Sequence, residues 1–213
     1  MKKILILFIV FSILFVSSAY LKELNSKLVG KTIVIDVGHG GKDSGTTYDG
    51  VSEKDINLMI AKKLEKELIK NGVKVLMVRE GDYDLSSPFV NRRKKSDFDN
   101  RIKFINESNA DMFISIHINY LGNSKYYGAQ VFYTRGNEEI AANIQEMFRK
   151  NLESPMKEKL LSNEIYMYKK LSVPGVLIEC GFLSNAKERN LLQDEDYQKK
   201  IVNAILEGII NYY

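Results

Sequence analysis

Only two histidines, His39 and His117, occur in the 213 residues, and both stand where an apolar run gives way to a loop. His39 follows the β-branched run 32–37 inside Gly38-His39-Gly40-Gly41, and His117 ends Met112-Phe113-Ile114-Ser115-Ile116-His117. In open α/β sheets ligands bind in the crevice beyond the carboxyl ends of the strands, so both imidazoles are candidates for one crevice. The glycines flanking His39 let the backbone turn sharply and approach an ion closely. A hydrolytic zinc site takes three donors of the imidazole and carboxylate kind and keeps one position for water. Glu53 is a candidate third donor, placed in the first turn of a helix that starts after Ser52. There the helix dipole favours the ionised carboxylate, the form a ligand must have. On spacing alone Glu53 also reads as an ordinary first-turn glutamate, and each histidine taken singly as a satisfied core or surface residue.

Glu179 carries a different signal. It follows Val176-Leu177-Ile178 directly, so a carboxylate arrives at the end of a strand that should be buried. An unpaired buried carboxylate is expensive. Either a cation answers it, or it faces a cleft where desolvation lifts its pKa toward the working range of a general base. Successive strand side chains point to opposite faces, so Cys180 should face away from any such cleft as a small buried hydrophobe. That argues against a cysteine-histidine hydrolase. The run Asn91-Arg92-Arg93-Lys94-Lys95 is the dense basic cluster of the chain. It reads as solvated loop surface or as a docking patch for an anionic polymer or acidic protein.

The elements that must position these side chains alternate. Residues 32–37 read as a buried strand, and 52–71 as a helix with an apolar stripe Ile56, Ile60, Leu64, Leu68 and a capping box of Ser52 with Asp55. Gly72 terminates that helix. Strands follow at 73–78, 111–118, 128–133, near 165–168 and at 176–178, with helices at 98–108, 138–152, 186–193 and 195–211 and a polar loop at 81–95. Strands alternating with helices predict one α/β domain, a mostly parallel twisted sheet with helices on both faces.

Composition sets the outer bounds. The hydrophobic fraction is 45% and the charged fraction 27%, with three prolines and no low-complexity tract, which predicts an ordered core. Lys and Arg number 31 against 27 Asp and Glu. Residues 1–19 hold Lys2 and Lys3 and no acid, so without them the balance is 29 against 27. A near-neutral domain gives no case for nucleic acid as a partner. The start, Met1-Lys2-Lys3, then an apolar stretch from Ile4 to Val16, then Ser17-Ser18-Ala19, has the three regions of a secretory leader. The stretch is short for a spanning helix of about 20 residues, and an uncleaved N-terminal membrane anchor is the alternative. The expected layout is a leader or anchor at 1–19, a lead-in linker at 20–30 and one catalytic domain at 31–213, exported across the cytoplasmic membrane.

Four ordered stretches then resemble the zinc-dependent N-acetylmuramoyl-L-alanine amidases of the amidase-3 type. They are Ile33-Val34-Ile35-Asp36-Val37-Gly38-His39-Gly40-Gly41, Ser52-Glu53-Lys54-Asp55-Ile56-Asn57-Leu58, Ser115-Ile116-His117-Ile118-Asn119 and Leu177-Ile178-Glu179-Cys180-Gly181-Phe182-Leu183-Ser184-Asn185. The resemblance spans roughly residues 31–212. It implies that His39, Glu53 and His117 hold Zn2+ and that Glu179 is the catalytic glutamate. The implied substrate is a peptidoglycan glycan strand with its stem peptide, cut at the amide between N-acetylmuramic acid and L-alanine. Val37 stands where the family usually has proline, which alters loop stiffness rather than ligand chemistry. Some relatives carry a covering helix after the second histidine, for which residues 120–127 are too few. A leader-bearing chain with no wall-binding repeats and an Arg-Lys-rich loop is similar to the spore-cortex, germination-specific subgroup. That similarity implies a role in forming muramic δ-lactam and location in the cell envelope or forespore intermembrane space. With no covering helix within the chain, dependence on a separate activator protein that orders the site is a further alternative. A zinc peptidase acting on stem peptides and a non-catalytic envelope-binding module are the rival readings.

Overall fold

Alternation along three strands decides the layers. In the computed structural model, which describes residues 27–161 and 165–213, β1 (Thr32–Val37) turns Ile33, Ile35 and Val37 toward one face and Val34 toward the other. In β5 (Met112–Asn119), Met112, Ile114, Ile116 and Ile118 take the first face and Phe113 the second. In β8 (Gly175–Phe182), Val176, Ile178 and Cys180 lie on the first face and Leu177 on the second. By the same alternation Asp36, Ser115, His117 and Glu179 fall on the second face.

The remaining strands are β2 (Thr47–Tyr48), β3 (Val51–Ser52), β4 (Lys74–Met77), β6 (Gln130–Tyr133) and β7 (Lys159–Leu160). The helices are α1 (Glu53–Lys70), α2 (Arg93–Glu107), α3 (Glu138–Leu152), α4 (Ala186–Leu191) and α5 (Glu195–Tyr212). Six strands form one sheet in the order β4-β1-β5-β8-β6-β7. Strands β4, β1, β5 and β8 run parallel, β6 pairs antiparallel with β8, and β7 runs parallel to β6. The first face is covered by α1, α3 and α5, through side chains such as Leu64, Ile144 and Ile205, and the second by α2 through Ile102 and Ile105. The expected α/β architecture, mostly parallel with helices on both faces, is the one observed. Among the described residues no helix is long and apolar enough to cross a membrane.

Helix α1 shows how sequence becomes position. Ile56, Ile60, Leu64 and Leu68 are fully or almost fully buried, each such side chain contributing about 1.5–3 kcal/mol. Its end is a Schellman motif: the amide of Gly72 donates to Ile69 O and that of Val73 to Leu68 O. Its start differs from the expected capping box. Ser52 makes no side-chain cap; its hydroxyl donates to Ser44 O because Ser52 belongs to the β2–β3 hairpin. The free helical amides of Glu53 and Lys54 are answered instead by Thr46 O and Ser44 O, which pins the first turn to the loop after His39.

Two other expectations need correction. Helix α2 begins at Arg93, not Phe98. Its basic first turn opposes the helix dipole, but Asp84 pairs with Arg93 and Asp43 stands 3.8 Å from Lys94, which relieves the charge. Residues 165–168 are turn and the start of a 3-10 helix (Tyr168–Lys170) rather than strand; the added strand beside β6 is β7. The leader at 1–19 and positions 20–26 of the lead-in lie outside the described residues, while Leu28 is buried in the main core.

Candidate metal centre

The parallel register brings the carboxyl ends of β1, β5 and β8 side by side, with Val37 opposite Ile116 and His117 opposite Glu179. His39 leaves β1 in the loop immediately after it, His117 stands near the end of β5, and Glu53 opens α1. Those three side chains converge. Glu53 Oε1 lies 3.1 Å from His39 Nε2 and 3.0 Å from His117 Nδ1. The imidazole rings meet edge to face with centroids 5.1 Å apart.

The donor set suits a divalent ion. One donor atom from each of His39, Glu53 and His117 lies within 4.8 Å of the other two. Donors about 2 Å from a tetrahedral ion stand about 3.3 Å apart, close to the two distances from Glu53. Two imidazoles and one carboxylate are the ligand types of a hydrolytic zinc site.

Each donor is oriented from behind. Asp43 Oδ2 sits 3.0 Å from His39 Nδ1, leaving Nε2 to face Glu53, the arrangement by which outer carboxylates set the ring of a metal-binding histidine. The amides of Thr46 and Ile118 donate to Glu53 Oε2 and Oε1 at 2.9 and 3.3 Å. His39 itself has a left-handed backbone at φ 60°, a strained state that its surroundings must hold. Gly38 leaves the space that the His117 ring fills: a Cβ on Gly38 would collide with that ring.

Protonation follows the same geometry. Burial works to raise the Glu53 pKa, but the bonds and charges of His117 and His39 outweigh it and hold the carboxyl well below its usual range. Burial works to lower the His39 pKa, and Glu53 and Asp43 together push it up instead. Glu179 behaves oppositely. Burial raises it to about 7, with His117 and His39 pulling down and Glu53 pushing up. Its Oε2 is buried with no hydrogen-bond partner. Among the described residues no cation pairs with Glu179, so of the two sequence readings the cleft-facing one matches its surroundings.

Two concavities meet at these side chains. One, of about 240 Å³, runs from Glu179 and His117 over Phe98, Met167, Tyr168 and Leu177. The other, about 400 Å³ and more open, joins His39, Glu53, His117 and Glu179 to Lys94 and Tyr120. A carboxylate with a pKa near neutral, beside three metal-type donors and open to both grooves, can take up and release a proton next to an ion. Cys180 lies on the other face, fully buried, as the alternation requires.

Sequence reasoning missed the supports. Asp43, the Thr46 amide, Arg79 and Arg101 all act at the site without standing out in the sequence. Of these, Arg79 alone carried a signal like that of Glu179, a charged residue placed directly after the apolar run Val75 to Val78.

Comparison with known proteins agrees with this geometry. The family model described as N-acetylmuramoyl-L-alanine amidase matches residues 33–211. The chain is 38% identical over 215 residues to the germination-specific N-acetylmuramoyl-L-alanine amidase of Bacillus subtilis (strain 168), covering 98% of this chain and 91% of that one. Its structure is similar to that of the CwlD amidase from Clostridioides difficile, solved in complex with the GerS lipoprotein. The TM-score is 0.82 and the identity 42%, over 86% of this chain and 98% of that one. It is also similar to the catalytic domain of CwlV, an N-acetylmuramoyl-L-alanine amidase from Bacillus (Paenibacillus) polymyxa var. colistinus, with a TM-score of 0.73 and 31% identity over 85% and 97% of the two chains. Strands that end together, three donors around one point and a matching family model over almost the whole described chain lead to one conclusion: this protein belongs to the N-acetylmuramoyl-L-alanine amidase family of peptidoglycan hydrolases.

Proposed function

We propose that the chain is a zinc hydrolase in which His39, Glu53 and His117 hold the metal and Glu179 moves the proton. The observation that carries this reading is the unpartnered, buried Glu179 Oε2 in the same cleft as the three-donor cluster. Zinc in such a site supplies Lewis-acid stabilisation of negative charge on the reacting carbonyl oxygen. The scissile bond is the amide between the lactyl carbonyl of N-acetylmuramic acid and the nitrogen of L-alanine. Glu179 accepts a proton from the attacking water as its oxygen bonds to the carbonyl carbon. It then gives that proton to the alanyl nitrogen as the C–N bond breaks. The apolar walls around Glu179, Leu177 and Met167 among them, desolvate its carboxyl and raise its pKa in the metal-free chain.

The likeness to a germination-specific amidase supports a role in spore cortex, where peptide-free muramic acid is the precursor of muramic δ-lactam. Export to the cell envelope fits that substrate and the leader-like N-terminus. A protein activator is part of this reading. Residues 120–129, which follow His117's strand, contain no helix to cover the cleft, and the similar CwlD amidase was solved with a lipoprotein bound.

Muropeptide analysis after incubation with peptidoglycan, with zinc and with chelator, tests the reading. Zinc-dependent release of stem peptides with a free alanine N-terminus is the expected result. Trimmed peptides still joined to muramic acid would replace it with the peptidase reading.

A further inference from the structure

A second buried charge beside the cleft has no role in the chemistry above. Arg79 follows β4 and is only 1% exposed, yet among the described residues it forms no ion pair with a carboxylate. Its guanidinium is satisfied by four main-chain carbonyls. Nε donates to Val37 O at 3.1 Å and Nη1 to Gly81 O at 2.9 Å. Nη2 donates to both Gly38 O at 3.0 Å and Lys54 O at 2.8 Å. Gly38 precedes His39 and Lys54 follows Glu53. One nitrogen therefore ties the peptide group that leads into His39 to the carbonyl of the residue after Glu53.

A buried cation with no direct ion-pair partner is a costly way to satisfy carbonyls; Asp82, Asp36 and Asp55 act on it only from a distance. Burial, with Arg101 nearby, lowers the Arg79 pKa to about 10, so the charge is retained at neutral pH. The loop is also shaped around this side chain. Gly40 lies between it and the Tyr83 main chain: a Cβ there would collide first with Tyr83 O and then meet Arg79 Cδ and Nε at 2.9 Å. Arg101 holds the other side of the same loop, donating to Val37 O at 2.7 Å and His39 O at 2.6 Å. Unlike Arg79 it is neutralised, by Asp36 and Asp97.

We propose that Arg79 is a positioning residue for the metal centre, fixing the distance between the His39 loop and the first turn of α1 so that His39 and Glu53 meet one ion. The inference rests on the metal-binding reading above. A planar fork reaches four carbonyls in fixed directions, whereas a lysine ammonium is a single point. Geometry and charge make opposite predictions for the same substitution. If Arg79 sets geometry, losing it weakens metal binding. If its positive charge is what matters at the site, losing that charge strengthens binding of a cation.

The test uses the full chain as purified, with zinc affinity measured by competition against a chromogenic chelator and coordination geometry by the visible absorption of the Co2+-loaded protein. Arg79→Lys and Arg79→Gln should each raise the zinc dissociation constant by about 10- to 100-fold and alter the Co2+ spectrum. Ile209→Val, a core substitution in α5 far along the chain from the cleft, should lower the melting temperature while leaving both readouts unchanged. Wild-type zinc affinity and an unchanged Co2+ spectrum in Arg79→Lys would overturn the positioning role, as would tighter zinc binding by Arg79→Gln. Equal loss of affinity in Ile209→Val would overturn it too, by reducing it to general stability. A wild-type chain that binds no zinc overturns the metal reading itself, and the positioning role with it.

Discussion

His117 and Glu179 are direct neighbours across the parallel strands β5 and β8, so the register of one strand pair sets a metal-type donor beside the proposed base. Glu179→Gln should therefore keep zinc and lose nearly all turnover, since the amide cannot accept a proton from water. General bases contribute about 10²- to 10⁴-fold. Near-normal release of stem peptide by this variant, with zinc content confirmed, would remove Glu179 from the mechanism.

The same carboxyl predicts how stability varies with pH. Burial lifts the Glu179 pKa to about 7 in the folded chain, from the ordinary 4.5 of a glutamate in water. The folded state thus holds the proton more tightly than the unfolded state, and stability falls as pH rises between those values. Above pH 7 the cost is complete and amounts to about 3 kcal/mol. Urea unfolding of the metal-free protein should show Glu179→Gln more stable than wild type at pH 8, with the advantage shrinking toward pH 4.5. In the active enzyme, turnover should fall on acidification with a midpoint at or below pH 7, because a bound cation favours the ionised carboxyl.

Metal removal supplies a third expectation. Glu53 is held ionised by its two histidines, and a saturating ion adds stability according to its affinity, about 4 kcal/mol at a thousandfold excess over the dissociation constant. Chelation should therefore lower the melting temperature of wild type. His39→Ala should show the lower value with or without zinc. A melting temperature indifferent to zinc in wild type would argue against a metal site at this cluster.

Much of this is legible in the sequence. The apolar stripe of α1, the buried strand before His39 and the run ending at Glu179 are periodic signals, and periodicity survives in a single sequence. What was hidden depends on contacts between segments far apart. Ser52 looked like a cap, but pairing with β2 redirected its hydroxyl to Ser44. Arg93 to Lys95 read as polar loop, yet they open α2 because Asp84 and Asp43, from two other loops, relieve the charge. The β2–β3 hairpin carries a signal in the sequence. Asp49-Gly50 between Tyr48 and Val51 is a two-residue turn signal, and both residues sit at positive φ, 52° and 76°. Convergence of His39, His117 and Glu179 could be guessed from strand ends, whereas Asp43 behind His39 could not, because nothing in an isolated loop tells where its carboxylate will point.

Gly38 offers a test of packing within the site. A Cβ at this position would overlap the His117 ring, and the ring has little freedom because Glu53 engages its Nδ1 at 3.0 Å. Gly38→Ala should displace His117, cost about 1–3 kcal/mol of stability and weaken zinc binding. Full zinc occupancy and turnover in this variant would mean that the His117 ring position is not needed.

Cys180 closes the question of nucleophile class. It follows Glu179 yet occupies the opposite face of β8, fully buried, and burial pushes its thiol pKa far above the ordinary value. A thiol kept protonated and packed under α-helices is a poor nucleophile. Cys180→Ala should retain turnover within a few-fold and lose about 1 kcal/mol of stability from the vacated sulfur volume, read out by muropeptide release and thermal unfolding. Loss of activity with zinc content and fold intact would place sulfur in the reaction. The strand geometry forbids that unless β8 shifts its register by one residue, which would carry Glu179 into the core at the same time.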